Sequence, residues 1–256
     1  MKNHIVVFSM VLFLALSSCM HSNCNLSGVE ARRMMSQTVK VNVEVKGILV
    51  QKKNETEISK TPHEISWIGT GVVVAVDKTK NGGESIILSA AHVVNVPKLF
   101  VQQGEDGLPI VMIVESFEET VEKNDGTICK ASVLIQDEDT DVGALKAECI
   151  AGDVAPLAQS LPQPGDSVSV VGAGLGVHPR NSFLVTEGRY VGPESDITTD
   201  VVITAPVAKG NSGSGVFADG KVIGIVSKKS SSYEHITFVA PLPYLKETLK
   251  RAMEKW

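Results

Sequence analysis

The chain has 256 residues, a formal net charge of −5 and 43% hydrophobic residues, and its Lys/Arg runs are never longer than two. This balance lacks the basic excess of a nucleic-acid binder, is too apolar for a disordered chain, and is too polar for a polytopic membrane protein. A chain of this length buries a sizeable core and suits one large domain or two small ones.

The first element is a short apolar stretch, Ile5 to Leu16, preceded by Lys2 and followed by Ser17, Ser18 and Cys19. A membrane-spanning helix needs about 20 apolar residues, so this run reads as a secretory signal. Leu16-Ser17-Ser18-Cys19 resembles the bacterial lipobox. The resemblance implies removal of residues 1–18 and lipidation of Cys19. It also implies a lipid-anchored protein on the periplasmic or extracellular face of a bacterial envelope. Met20 is not the aspartate associated with inner-membrane retention, which favours the outer membrane in a Gram-negative host. The competing reading is an ordinary cleaved signal that leaves Cys19 and Cys24 as incidental thiols. Residues 19–38 are polar and without periodicity, and read as a tether.

From Val39 onward the chain alternates short β-branched runs with turn residues, the pattern of an all-β protein. The predicted strands of a first unit, 39–158, are Val39 to Val50, Ile68 to Val76, Ser85 to Ser89, Val111 to Phe117, Ile128 to Ile135 and Val142 to Ala147. Those of a second unit, 159–256, are Ser167 to Gly172, Ser182 to Val191, Val201 to Thr204, Gly215 to Phe217, Val222 to Ser227 and Ile236 to Val239. About six strands in each unit suit barrels or sandwiches, and closing a barrel removes exposed edges. Pro243 then opens a segment with Leu245, Leu249, Ala252 and Met253 at helical spacing, which predicts one closing helix. Cys129 and Cys149 flank a predicted hairpin and face each other across it. An exported chain can bond them, or they stay free in separate strands. Neither Cys-x-x-Cys nor His-Glu-x-x-His spacing occurs, so no metal site is expected.

Three segments carry candidate chemistry. Leu88-Ser89-Ala90-Ala91-His92-Val93 is an apolar strand ending in small residues and a histidine. Asp139-Thr140-Asp141-Val142-Gly143-Ala144-Leu145 is an acidic turn entering an apolar strand. Gly210-Asn211-Ser212-Gly213-Ser214-Gly215 is a glycine-rich loop around a serine. Each alone is unremarkable as a surface histidine, a common turn or a flexible connection. A serine hydroxyl is a poor nucleophile at neutral pH and needs an imidazole to take its proton, oriented by a carboxylate.

Together and in this order, the three segments resemble the trypsin-like serine peptidases, particularly the bacterial branch that contains the HtrA (Deg) proteases. The resemblance extends from about Val39 to the C-terminus and takes in Gly224-Ile225-Val226-Ser227. It implies two six-stranded antiparallel β-barrels with a C-terminal α-helix, no cofactor, and peptide-bond hydrolysis in protein or peptide substrates through an acyl-enzyme. Asp137 and Asp139 compete with Asp141 for the carboxylate, but Asp141 directly abuts the apolar strand, where the family has its aspartate. The implied catalytic residues are therefore His92, Asp141 and Ser212. The amides of Gly210 and Ser212 are the implied oxyanion donors, and Ser227 would bond Asp141 and line the cleft. Pro206, Val207 and Ala208 would form the base of the primary pocket. They carry no acidic group, which favours small or medium apolar side chains over Lys or Arg. Lys228 and Lys229 follow Ser227, either narrowing or charging the pocket mouth or standing as a solvated pair.

The chain departs from the family pattern at Ser214, where a second glycine is usual, and at Val216, where proline often stands. Asn211 replaces the aspartate that would pair with a new N-terminus, so activation by propeptide cleavage is not expected. Ser214 leaves open a second function, a membrane-tethered pseudoprotease that binds peptides or envelope proteins without cleaving them. An α/β-hydrolase reading fails, since its elbow needs glycine at 214 and helices alternating with strands. The residues after Ser227 are too few for a PDZ domain of the kind HtrA relatives often carry, and nothing in the sequence sets an oligomeric state.

Overall fold

The computed structural model describes residues 27–52, 58–104, 107–174, 183–193, 200–230 and 235–256. Cys19, the signal segment and most of the expected tether lie outside the described residues. Within them the order is α1 (Gly28–Ser36), β1 (Thr38–Lys52), β2 (Ile58–Asp77), β3 (Glu84–Ala90), α2 (Ala91–Val94), β4 (Leu99–Gln103), β5 (Pro109–Glu122), β6 (Ile128–Asp137) and β7 (Val142–Ala147). There follow β8 (Ser167–Gly172), β9 (Leu184–Pro193), β10 (Val201–Ile203), β11 (Gly215–Ala218), β12 (Lys221–Lys229), β13 (Thr237–Pro241) and α3 (Leu242–Lys255).

These strands form the two closed antiparallel barrels expected from the sequence. The first runs β1-β2-β3-β7-β6-β5 and closes through β5–β1 pairing, with β4 added outside β5. The second runs β10-β13-β12-β11-β8-β9. Two features of the first barrel exceed the expectation. β4 was not foreseen, because five residues with no alternation in burial give little pattern. β2 begins ten residues before the predicted Ile68, because its first half is a hairpin arm paired with β1 from Ile58↔Lys52 onward and mostly exposed, so polar residues serve there.

Strand alternation divides the apolar side chains among three cores. In β3, Ile87 points into the first barrel, while Ile86 and Leu88 point out of it toward the second. In β12, Ile223 and Val226 fill the second barrel and Ile225 faces the first. The outward residues of both barrels meet in a seam containing Val72, Leu88, Ala144, Val171, Phe217 and Ile225, all at most 1% exposed. Strands buried on both faces read as continuous apolar runs, which is why β3, β8 and β12 stand out in the sequence.

The expected tether is corrected at its C-terminal end, where 28–36 is helical and 38 already belongs to β1. Ser27 caps α1 by accepting a hydrogen bond from Glu30 N at 3.2 Å, and Met34 is 1% exposed in the seam. Ser27-x-x-Glu30 is a capping-box spacing, the one signal of a helix whose single buried side chain gives no periodicity. At the other end α3 begins on the second barrel and crosses to the first, where Arg251 pairs with Asp137 at 2.6 Å and Trp256 Nε1 donates to Glu84 at 2.8 Å. Cys129, at the start of β6, and Cys149, just past β7, are joined by a disulfide with a Cα separation of 6.1 Å.

Candidate active site

β3 ends at Ala90, and the single turn of α2 places His92 at the rim of the first barrel with its side chain half exposed. The chain then returns through the Glu138–Asp141 turn into β7, which pairs with β3 so that Val142 opposes Ala90. This register brings Asp141 to His92. His92 Nδ1 lies 2.9 Å from both carboxylate oxygens, and the His92 amide donates to Oδ1 at 3.0 Å. Ser227, 7% exposed near the end of β12, donates to Oδ2 at 2.5 Å. Partial burial works to raise the Asp141 carboxyl, but hydrogen bonds from the His92 ring, the Ser227 hydroxyl and the His92 amide outweigh it. They hold the group below the ordinary carboxylate range. Asp141 has φ 51°, a left-handed conformation that aspartate tolerates better than most residues. Asp137 is instead committed to Arg251, and Asp139 is exposed in the turn.

Ser212 comes from the second barrel, in the loop between β10 and β11. The Asn211 amide donates to Ala208 O at 3.0 Å, and Gly210, third residue of that turn, has φ 98°. A positive φ at this place is that of a type II turn, in which the central peptide points opposite to its direction in a type I turn. The amides of Asn211, Gly213 and Ser214 all have backbone acceptors, whereas those of Gly210 and Ser212 have none among the described residues. Gly213, φ 83°, lies so close to the first barrel that a Cβ there would sit 2.1 Å from Thr70 O and 2.4 Å from Ser89 Oγ. Among the described residues no hydrogen bond joins Ser212 Oγ to the His92 ring.

Thr70 on β2 connects the barrels at this point and was not singled out from the sequence. Its amide donates to Ser212 O and its hydroxyl to Gly210 O, both at 2.8 Å, and the hydroxyl accepts from Ala173 N at 2.9 Å. The flanking glycines were the available signal. A Cβ at Gly69 would lie 2.4 Å from Val93, and one at Gly71 equally close to Ile87.

Ser214 is fully buried and lies against Gly172, where a Cβ would be 1.8 Å from its Oγ. A glycine on β8 thus makes room for the side chain that the family pattern lacks. Neither Ser214 Oγ nor the buried Asn211 Oδ1 has a partner among the described residues. The loop holding Pro206, Val207 and Ala208 is fixed from two strands. Thr186 on β9 donates to Pro206 O at 2.9 Å, and Thr237 on β13 donates to Ala205 O at 2.8 Å. Lys228 lies 3.7 Å from Asp200 and over the Phe238 ring, while the Lys229 side chain is outside the described residues.

A family model, the trypsin-like peptidase domain, matches residues 69–225, a span that opens at Gly69 and takes in His92, Asp141 and Ser212. The chain belongs to the trypsin-like peptidases. Two crystal structures share the fold of this peptidase domain. The serine endoprotease from Yersinia pestis superposes with a TM-score of 0.62 at 20% identity, over 90% of this chain and 68% of that one. The inactive form of Rv3671c from M. tuberculosis H37Rv, a serine-to-alanine mutant, gives 0.59 at 18% identity, over 90% and 92%. No curated protein matches this trypsin-like chain by sequence.

Proposed function

We propose that this chain is a serine endopeptidase in which Ser212 is the nucleophile, His92 the general base and then acid, and Asp141 the group that orients the imidazole. The observation that carries this reading is the Asp141 carboxylate, bonded at once to the His92 ring, the His92 amide and Ser227, whose neighbour Val226 accepts from the Gly213 amide of the Ser212 loop. Held on Nδ1, the neutral ring keeps its proton there and leaves Nε2 as the base. Ser212 Oγ attacks the scissile carbonyl as His92 removes its proton, and the hydroxyl comes into line once substrate is bound, as catalytic hydrogen bonds commonly do. The developing oxyanion is met by the two unengaged amides of Gly210 and Ser212. Collapse of the tetrahedral species releases the amine, protonated by His92, and leaves an acyl-enzyme that water cleaves by the reverse sequence.

The uncharged Pro206, Val207 and Ala208 favour small or medium apolar side chains in the primary pocket. The lipobox-like sequence before Cys19 favours a lipid tether to the bacterial envelope, and the motif order favours kinship with the HtrA branch. The space at Gly172 that accommodates the Ser214 side chain favours the catalytic reading over a non-catalytic binding role.

The test compares the soluble form from Gly28 with Ser212→Ala in cleavage of unfolded casein and in labelling by a serine-directed fluorophosphonate. Both activities are expected in the parent and absent in the variant. A folded parent that does neither would overturn the assignment. Metabolic labelling with a fatty acid, lost in full-length Cys19→Ala, checks the anchor.

A further inference from the structure

We propose that Thr70 is a positioning residue whose hydroxyl, reaching from the first barrel to the Gly210 carbonyl of the second, sets the direction of the Gly210 amide at the oxyanion site. The inference rests on the serine-peptidase reading above. Gly210 is flanked by two peptide groups. The one after it is held at both ends, by Thr70 Oγ1 on the carbonyl at 2.8 Å and by Ala208 O on the Asn211 amide at 3.0 Å. With that peptide fixed, the one before it keeps the orientation that a type II turn requires, and its N–H is the unengaged donor. Nothing else among the described residues donates to the Gly210 carbonyl.

The hydroxyl's one proton is committed to Gly210 O, and it also accepts from Ala173 N at 2.9 Å, with Thr70 0% exposed. Ala173 precedes Gly174, which lies against the unpartnered Asn211 Oδ1, so one side chain of the first barrel holds two loops of the second. Removing the hydroxyl leaves a buried carbonyl and a buried amide unpaired, and turning the Gly210 peptides is the available way to relieve them. The shape of the side chain is not what matters in this account, so serine should replace threonine and valine should not.

Thr70→Val and Thr70→Ser are compared with the parent for casein kinetics, the rate of fluorophosphonate labelling, and the amide resonances of Gly210 and Asn211. Loss of a fixed oxyanion donor predicts that Thr70→Val slows kcat and labelling by about tenfold or more, with KM within about twofold and Thr70→Ser within about threefold of the parent. The Gly210 and Asn211 resonances should move in Thr70→Val and stay in place in Thr70→Ser. A Thr70→Val protein that labels at the parental rate with an unmoved Gly210 resonance overturns the proposal, as does a Thr70→Ser protein as slow as Thr70→Val. Thr70→Ala substitutes if the valine variant does not fold. If neither folds while serine does, the hydroxyl is a folding requirement and the positioning role is rejected. A parent protein that neither cleaves nor labels defeats the peptidase reading instead, and the resonances then decide the clamp alone.

Discussion

Ser214 and Gly172 occupy one shared volume, so neither can be understood from its own place in the sequence. Adding a methyl at Gly172 would drive it to 1.8 Å from Ser214 Oγ, and the expected cost of Gly172→Ala is about 2 kcal/mol or more. Ser214→Gly removes a buried, unpaired hydroxyl and should be close to neutral or stabilising. Combined with Gly172→Ala it should recover a large part of the loss, and denaturant unfolding of the two single variants and the double variant measures this coupling. Asp141 shows the opposite situation, a residue whose role its local context announces. Asp141→Asn keeps the size of the side chain but favours the wrong imidazole tautomer, and a fall in kcat of about 10⁴ with intact folding is expected. Steady-state kinetics and circular dichroism together check it. The site residues legible in advance were those that lie in glycine-rich or strand-end motifs. Thr70 was not among them, because its partner carbonyl at Gly210 is distant in sequence and no local pattern records that pairing.

At the scale of elements, β5 contains a carboxylic acid that sits among apolar neighbours. Glu119 faces inward opposite Val43 on β1 and Ala131 on β6, and Oε1 has no partner among the described residues. Burial pushes its pKa up to about 7, so the folded chain holds a proton that the unfolded chain gives up at ordinary carboxylate pH. Stability should therefore fall as pH rises between the unfolded value, about 4.3, and the folded one. Glu119→Gln should flatten that slope, changing little at pH 4 and adding about 2 kcal/mol at pH 8, as read by chemical denaturation across the range. Nearby, the Cys129–Cys149 disulfide closes a loop that spans β6 and β7. Its removal by paired serine substitution should cost about 3 kcal/mol. Barrel strands were readable because alternation and double-sided burial both leave marks in composition. α1 and the hairpin arm of β2 were not, since one buries only Met34 and the other is largely solvated on both faces.

For the whole molecule, the seam between the barrels is as dry as their interiors, and it is sealed by elements from both ends of the described chain. Met34 of α1 and Leu245 of α3 are 1% and 0% exposed within it. Leu245→Ala should cost about 2–5 kcal/mol, with casein cleavage disappearing at the same denaturant concentration as the native circular dichroism. Activity lost well before unfolding would show that the barrels separate as independent bodies. The chain order of the fold was legible, but the seam was not. Which apolar residues of a doubly buried strand face the partner barrel depends on register, and no single strand encodes it.

The division of the site between the barrels also sets an order in time. A ribosome delivers His92 and Asp141 first, together with every strand of the barrel that holds them. At about 5–20 residues per second, several seconds pass before Ser212 emerges, and α3 comes later still. Throughout that interval the nascent polypeptide carries the proposed base without the proposed nucleophile. Once Ser212 has appeared, the seam between the barrels is still incomplete until Leu245 of the last helix docks. For the proposed peptidase, this arrangement ties assembly of the site to completion of the second barrel and docking of α3.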